Sequence, residues 1–138
     1  MNTDCAYCME GELVAKFGIK ICELKESKVY LFKEQSHRGR VIVASKYHVD
    51  EICDLTPEQR AGFMEDVNTV ATALHKAFSP AKVNYGAYGD TVHHLHFHLV
   101  PKYTDEFEWG LPFAMNPQQK FLSDEEYSEL IELIKKNL

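Results

Sequence analysis

No stretch of this 138-residue chain approaches the roughly 20 consecutive apolar residues that a membrane-spanning helix needs, and its N-terminus lacks an apolar run of signal-peptide length. The expectation is a soluble, cytoplasmic protein with no membrane partner. Positive charge is also scarce. Fifteen Lys and Arg stand against 21 Asp and Glu, a formal net charge of −6, which excludes a general basic surface for duplex nucleic acid or anionic lipid. Any phosphate must therefore be met by a few local groups. There is no internal repeat, no low-complexity tract and no Gly/Ser/Pro-rich linker, so the chain reads as one compact domain over residues 1–138 with short connections. Cysteine is limited to Cys5, Cys8, Cys22 and Cys53. Without an export signal these are expected as thiols or metal ligands rather than disulfides.

What is present follows an α+β pattern. Phe17 to Leu24 alternates, Lys25-Glu26-Ser27 supplies a turn, and Val29–Phe32 follows, a sequence that predicts a hairpin. The β-branched run from Arg40 to Ser45 predicts a buried strand. Thr56-Pro57-Glu58-Gln59 opens the clearest helix: Thr56 can cap, Pro57 suits the first helical position and Gln59 closes a capping box. Phe63, Val67, Val70, Leu74 and Phe78 then recur at helical spacing, and Ser79-Pro80 ends the helix. Lys82–Tyr88 and His94–Val100 predict two more strands about Gly89-Asp90-Thr91. Thr104–Lys120 is a long aromatic loop, and a last helix begins after Ser123 with Asp124, Glu125 and Glu126 at the positive end of its dipole.

The informative segment is His94-Leu95-His96-Phe97-His98-Leu99-Val100-Pro101. Alternate side chains of a strand share a face, so three imidazoles point one way and Leu95, Phe97 and Leu99 point into the core. Adjacent imidazoles then start ~6.6 Å apart, which lets one phosphate touch two of them. A neutral imidazole can act as nucleophile or base, and a protonated one stabilises phosphoryl oxygens. Two other readings stand beside this: a solvated histidine-rich face, and a catalytic metal held by the three rings.

The stretch NYGAYGDTVHHLHFHLVP, from Asn84 to Pro101, resembles the signature of the histidine-triad superfamily, whose core is three histidines separated by single apolar residues. Weaker similarity extends upstream through RGRVIVASKYH. The resemblance covers most of the chain up to Tyr103. It implies an antiparallel sheet of about five strands with one long helix and a C-terminal helix. It also implies a hydrolase or transferase acting on nucleotide phosphoanhydride or phosphoramidate bonds, without an organic cofactor. On this resemblance His96 is the nucleophile, His98 contacts the phosphate and leaving group, and Asn84 and Thr91 approach the same phosphate. Asp90 stands where many members have Gln, which leaves the leaving group open, and Glu34 is the candidate for the ribose hydroxyls. Family members are commonly homodimers, so a homodimer is expected. A non-catalytic nucleotide-binding scaffold is the alternative.

Cys5-Ala-Tyr-Cys8 has the spacing that lets two thiolates share one tetrahedral ion. The spacing alone leaves the other ligands open among His37, His48, His75, His93, His94 and His98. The resemblance to the zinc-containing branch implies His48 and His94, giving a structural Zn2+ site of Cys5, Cys8, His48 and His94. Cys22 and Cys53 are expected as small buried residues. Arg38, Arg40 and Lys46 are expected as solvated side chains, and His75 and His93 as peripheral or structural. Trp109, Phe107 and Phe113 could stack on a base, build a dimer contact or pack on their own domain.

Overall fold

Two one-turn helices, α1 (Ala6–Met9) and α2 (Glu12–Ala15), precede the hairpin. The computed structural model describes residues 5–138. Strands β1 (Gly18–Glu23) and β2 (Ser27–Phe32) pair antiparallel, and β3 (Val41–Ser45) pairs with β2. After a single 3-10 turn at Ile52–Asp54 comes α3 (Pro57–Phe78). Strands β4 (Lys82–Gly86) and β5 (His96–Lys102) complete a five-stranded antiparallel sheet in the order β1-β2-β3-β5-β4, and α4 (Asp124–Asn137) follows. This is the α+β architecture expected. Among the described residues no helix is long and apolar enough to cross a membrane.

Local chemistry sets the helix limits. The Gln59 N–H donates to Thr56 Oγ1 at 3.2 Å while the Thr56 N–H donates to Gln59 Oε1 at 3.0 Å, so the capping box forms in both directions. Ser79 adopts a left-handed φ of 48° and stops α3. The two histidine-loop strands are shorter than the sequence pattern suggests, since β4 ends at Gly86 and β5 begins at His96. The reason is that Leu95 turns away from β4: its N–H donates to the Val49 carbonyl and its carbonyl accepts from Ser45.

The sheet has two unlike faces. Val29, Leu31, Val41, Val43 and Leu99 pack with Phe63, Val67, Val70 and Leu74 of α3 and with Leu130 and Ile134 of α4. The opposite face carries Tyr30, Ile42 and Ala44 against Cys5, Tyr7 and Val14 of the N-terminal segment. In the register of β3 with β5, Ile42 stands opposite His98 and Ala44 opposite His96. The histidines therefore lie on the face away from the long helices.

Two expectations about single residues are corrected. Cys53 is exposed rather than buried, because the short 3-10 turn carrying it lies outside the core, and Cys22 is only half-buried in β1. Arg40 is wholly buried rather than solvated, unlike Arg38 and Lys46, which are exposed. Gly39, at φ +93°, precedes it. A Cβ there would lie 2.7 Å from the Phe78 ring, so glycine permits both the turn and the close approach that send Arg40 inward.

Asp66 of α3 is buried and accepts from the Glu26 N–H and from Ser27 Oγ, both at 2.8 Å. It ties the helix to the β1–β2 turn. Asp66→Ala leaves that N–H without its acceptor and is expected to cost about 1–3 kcal/mol in equilibrium unfolding; a loss below a few tenths would show that water replaces the bond fully.

Candidate active site and metal centre

The histidines of the triad hold three different hydrogen-bond positions. His96 Nδ1 lies 2.6 Å from the His94 carbonyl oxygen. A carbonyl can only accept, so Nδ1 carries the proton and Nε2 carries the lone pair. His98 is the reverse. Its Nδ1 lies 3.3 Å from Arg40 Nη2, and a guanidinium can only donate, so Nδ1 accepts and the proton sits on Nε2. Burial lowers the His96 pKa against the opposing effect of its bond to the His94 carbonyl. Burial first, then the charge of Arg40 and the neighbouring His96, push His98 down to about 3. Both rings are neutral at neutral pH. Their centroids are 5.4 Å apart.

Arg40 reaches His98 because Ile42 and Ala44, two and four residues on, occupy the same sheet face. Its guanidinium lies between the rings of Phe32 and Phe113, 4.2 and 4.8 Å from their centroids. Its Nη1 donates to the Ala114 carbonyl at 2.9 Å. The loop that supplies Phe113 and Ala114 is pinned in turn: Glu108 accepts from the Ala114 N–H and from His37, and the buried Lys102 donates to the carbonyls of Glu108 and Leu111. The aromatic loop thus packs on its own domain through Phe113, while Trp109 stays largely exposed. Gly86 makes room for this, since a Cβ there would meet Phe113 at 2.6 Å.

A cavity of about 380 Å³ opens onto His96 and His98, walled by Tyr7, Phe17, Phe32, Ile42 and Met115. Asp90 and Thr91 line its rim and are exposed. Asn84 lies in different hollows, bounded by Lys82, Pro112 and either Lys102 with Trp109 or Phe113 with Tyr88. Glu34 is also apart. Its oxygens accept from the Ser36 N–H and Oγ and from the Lys120 N–H, and it borders an adjoining hollow with Lys16 and Lys33. A larger hollow of about 460 Å³ lies against α4 by Gln35, Arg38 and Lys120. It contains none of the triad, whereas the smaller cavity holds His96 and His98.

The first triad histidine belongs to another group. His94 Nε2 lies 2.7 Å from the Ser45 carbonyl, which places the proton on Nε2 and turns the Nδ1 lone pair toward Cys5, Cys8 and His48. Cys5 Sγ and Cys8 Sγ lie 3.2 and 3.6 Å from His94 Nδ1, Cys8 Sγ 3.2 Å from His48 Nδ1, and the two Nδ1 atoms 3.1 Å apart. A tetrahedral ion with bonds of about 2.0–2.3 Å sets such ligand atoms about 3.3–3.8 Å apart, so the four residues fit a metal ion with little movement. They form a cluster that could hold one. Tyr7, between the cysteines, packs its ring at 5.3 Å from His94 and 5.0 Å from His96. His37 and His75 lie elsewhere, and His93 is exposed with Asp50 at 3.3 Å.

Arg40, Tyr7, Lys102 and Glu108 were not singled out as site residues by sequence reasoning. For Arg40 the signal existed: it continues the alternation of Ile42 and Ala44. For Lys102 and Glu108 no local pattern marks the long-range contacts.

The HIT domain family model matches residues 18–105. The chain belongs to the HIT domain family. It is 26% identical over 133 residues to an adenosine 5'-monophosphoramidase of Schizosaccharomyces pombe, covering 94% of this chain and 95% of that protein. A bis(5'-nucleosyl)-tetraphosphatase of the same organism is 31% identical over 74 residues, 50% of this chain and 41% of that protein. Among solved structures, a histidine triad protein of Sinorhizobium meliloti superposes with a TM-score of 0.85 at 26% identity, covering 93% and 95% of the two chains. A Zn-bound histidine triad family protein of Mycobacterium smegmatis shares the fold with a TM-score of 0.65 at 22% identity, covering 96% and 91%.

Two outcomes follow from this geometry. Metal analysis of the purified protein is expected to give one divalent ion per chain, lost in Cys5→Ser; retention in that variant would place the ion on the triad instead. The second concerns acid. His98 is held at about 3 against an ordinary 6.5 by burial, Arg40 and His96, with the exposed Asp90 on the rim of its cavity, so the unfolded chain takes up its proton first. The stability tied to neutral His98 is complete above pH 6.5 and is lost as pH falls toward 3, at up to about 1.4 kcal/mol per pH unit. Unfolding measured at pH 7 and 4.5 should show a smaller acid-induced loss in His98→Gln than in the unmodified protein.

Proposed function

We propose that this HIT protein cleaves a nucleoside monophosphate from a phosphoanhydride or phosphoramidate leaving group, as hydrolase or nucleotidyl transferase, through a covalent nucleotidyl-His96. The observation that carries this reading is the pair of opposite tautomers in one cavity: a lone pair on His96 Nε2 beside a proton on His98 Nε2. The names of its relatives, a monophosphoramidase and a dinucleoside tetraphosphatase, agree with the substrate class.

In the proposed reaction the His96 Nε2 lone pair attacks phosphorus and the bond to the leaving group breaks. The imidazole becomes a cation as the N–P bond forms, and the His94 carbonyl at 2.6 Å accepts from its Nδ1–H as that charge develops. His98 Nε2–H donates to oxygens of the phosphoryl or leaving group. Thr91 and Asp90 meet the same groups from the rim. Water or another acceptor then attacks phosphorus, the N–P bond breaks, and His96 returns to its neutral form while the acceptor's proton passes to solvent. Asn84 and Glu34 border neighbouring hollows and are assigned no step in this route.

The ion at Cys5, Cys8, His48 and His94 is proposed to be zinc in a structural role. Two thiolates and two neutral imidazoles make a closed, neutral, four-ligand set, which leaves no position for substrate. A homodimer is proposed as the working unit. The β4 edge of the sheet is open within one chain and carries the exposed Tyr85, and an uncovered edge of this kind invites pairing.

Incubation with a dinucleoside polyphosphate, followed by intact-mass analysis, is expected to reveal a nucleotide adduct that His96→Ala lacks. The same variant should lose about a thousandfold or more in kcat/KM. Full turnover by a folded His96→Ala protein would overturn the reading.

A further inference from the structure

Arg40 is the largest side chain wholly withdrawn from solvent, and no carboxylate among the described residues pairs with it. Its contacts are His98 Nδ1, the Ala114 carbonyl, Met115 Sδ and two aromatic rings, and its Nε has no acceptor. Glu34 and Glu108 favour its charge from a distance, and burying a guanidinium with no ion-pair contact is costly. The interaction that this burial secures is the one with His98.

We propose that Arg40 is a positioning residue that locks His98 as a fixed Nε2–H donor, and that the site therefore favours leaving groups that depart as anions, a phosphate ahead of an amine. The second half rests on the reading of His96 as nucleophile. The argument is one of proton supply. For His98 to act as an acid it must first carry protons on both nitrogens, which would set an Nδ1–H against the Arg40 N–H and place two cations 3.3 Å apart in the interior. Starting from the neutral ring, loss of the Nε2 proton would leave an imidazolate, far from accessible at neutral pH. His98 can thus donate a hydrogen bond but does not transfer a proton.

This separates the two substrate classes. When a phosphoanhydride P–O bond breaks, the electron pair stays on the leaving oxygen, the phosphate departs as an anion, and a hydrogen bond from His98 Nε2–H is sufficient help. When a phosphoramidate P–N bond breaks, the nitrogen must gain a proton as it takes the electron pair. Besides the two imidazoles, the described side chains of the cavity that can carry an exchangeable proton are the phenols of Tyr7 and Tyr88, the Thr91 hydroxyl and the rim carboxyl of Asp90; phenols and alcohols are weak acids, which leaves Asp90, exposed to solvent, as the group to test.

The first test needs no substrate. Nitrogen NMR of His98 in the unmodified protein at neutral pH is expected to show an unprotonated Nδ1 and a protonated Nε2, with Nδ1 shifting in Arg40→Met and recovering in Arg40→Lys, which keeps a donor. A protonated Nδ1 in the unmodified protein overturns the proposal, whatever the outcome for His96.

The second test is kinetic, on aryl esters of a nucleoside monophosphate whose leaving phenols range from strongly acidic nitrophenols to a phenol of pKa about 10. Without an acid, kcat/KM should fall by about a hundredfold or more across the series. An unactivated nucleoside phosphoramidate should turn over slower than a dinucleoside polyphosphate by a similar factor. A flat series overturns the leaving-group preference, including one that steepens in Asp90→Asn, which then assigns the acid to Asp90. Loss of the His96 adduct with the tautomer as expected would instead remove the nucleophile reading and leave Arg40 in its role.

Discussion

The antiparallel register of Val41–Ala44 with His96–Leu99 is the constraint on which the site depends. It places Ile42 and Ala44 behind the His98 and His96 rings and leaves Val43, Phe97 and Leu99 to the helix-side core. A slip of one residue would exchange the two sets, burying imidazoles under α3 and exposing the aliphatic face. The apolar contacts that hold α3 to the sheet therefore also fix where the histidines point. Fold stability and site geometry rest on the same strand pair.

On that frame, one kind of partner decides what each histidine can do. Backbone carbonyls accept hydrogen bonds from His94 and His96, and a guanidinium donates one to His98. Three chemically identical side chains are thereby made unlike: a lone pair facing Cys5, Cys8 and His48, a cavity-facing lone pair and a cavity-facing N–H. The backbone oxygens come from Ser45 and from His94 itself, so the tautomers of the first two rings are written into main-chain geometry.

Much of this was legible in the sequence because it is periodic or local. The alternation through His94–Val100 places the histidines on one face, the Thr56–Gln59 box starts the long helix, and the family resemblance of the motif anticipates the Cys5, Cys8, His48 and His94 cluster. The errors have a common cause. Arginine is usually solvated, yet Gly39 turns Arg40 inward and two aromatic rings 81 positions apart in sequence, Phe32 and Phe113, make a place for it. Long-range aromatic contacts leave no periodic trace. Strand ends were overextended for a similar reason: the Leu95 N–H finds Val49, and no local pattern announces that choice.

The short turn at Cys5–Cys8 joins the two centres physically, since Tyr7 lies on both His94 and His96 and also walls the cavity. Cys5 and His94 are separated by 89 positions, so closing this contact demands a long loop and its entropy. During synthesis on the ribosome, the Cys5–Cys8 turn emerges well before the triad strand and must wait for it before the contacts with His94 and His96 can form. A turn made early is thus among the last walls of the histidine cavity to be put in place.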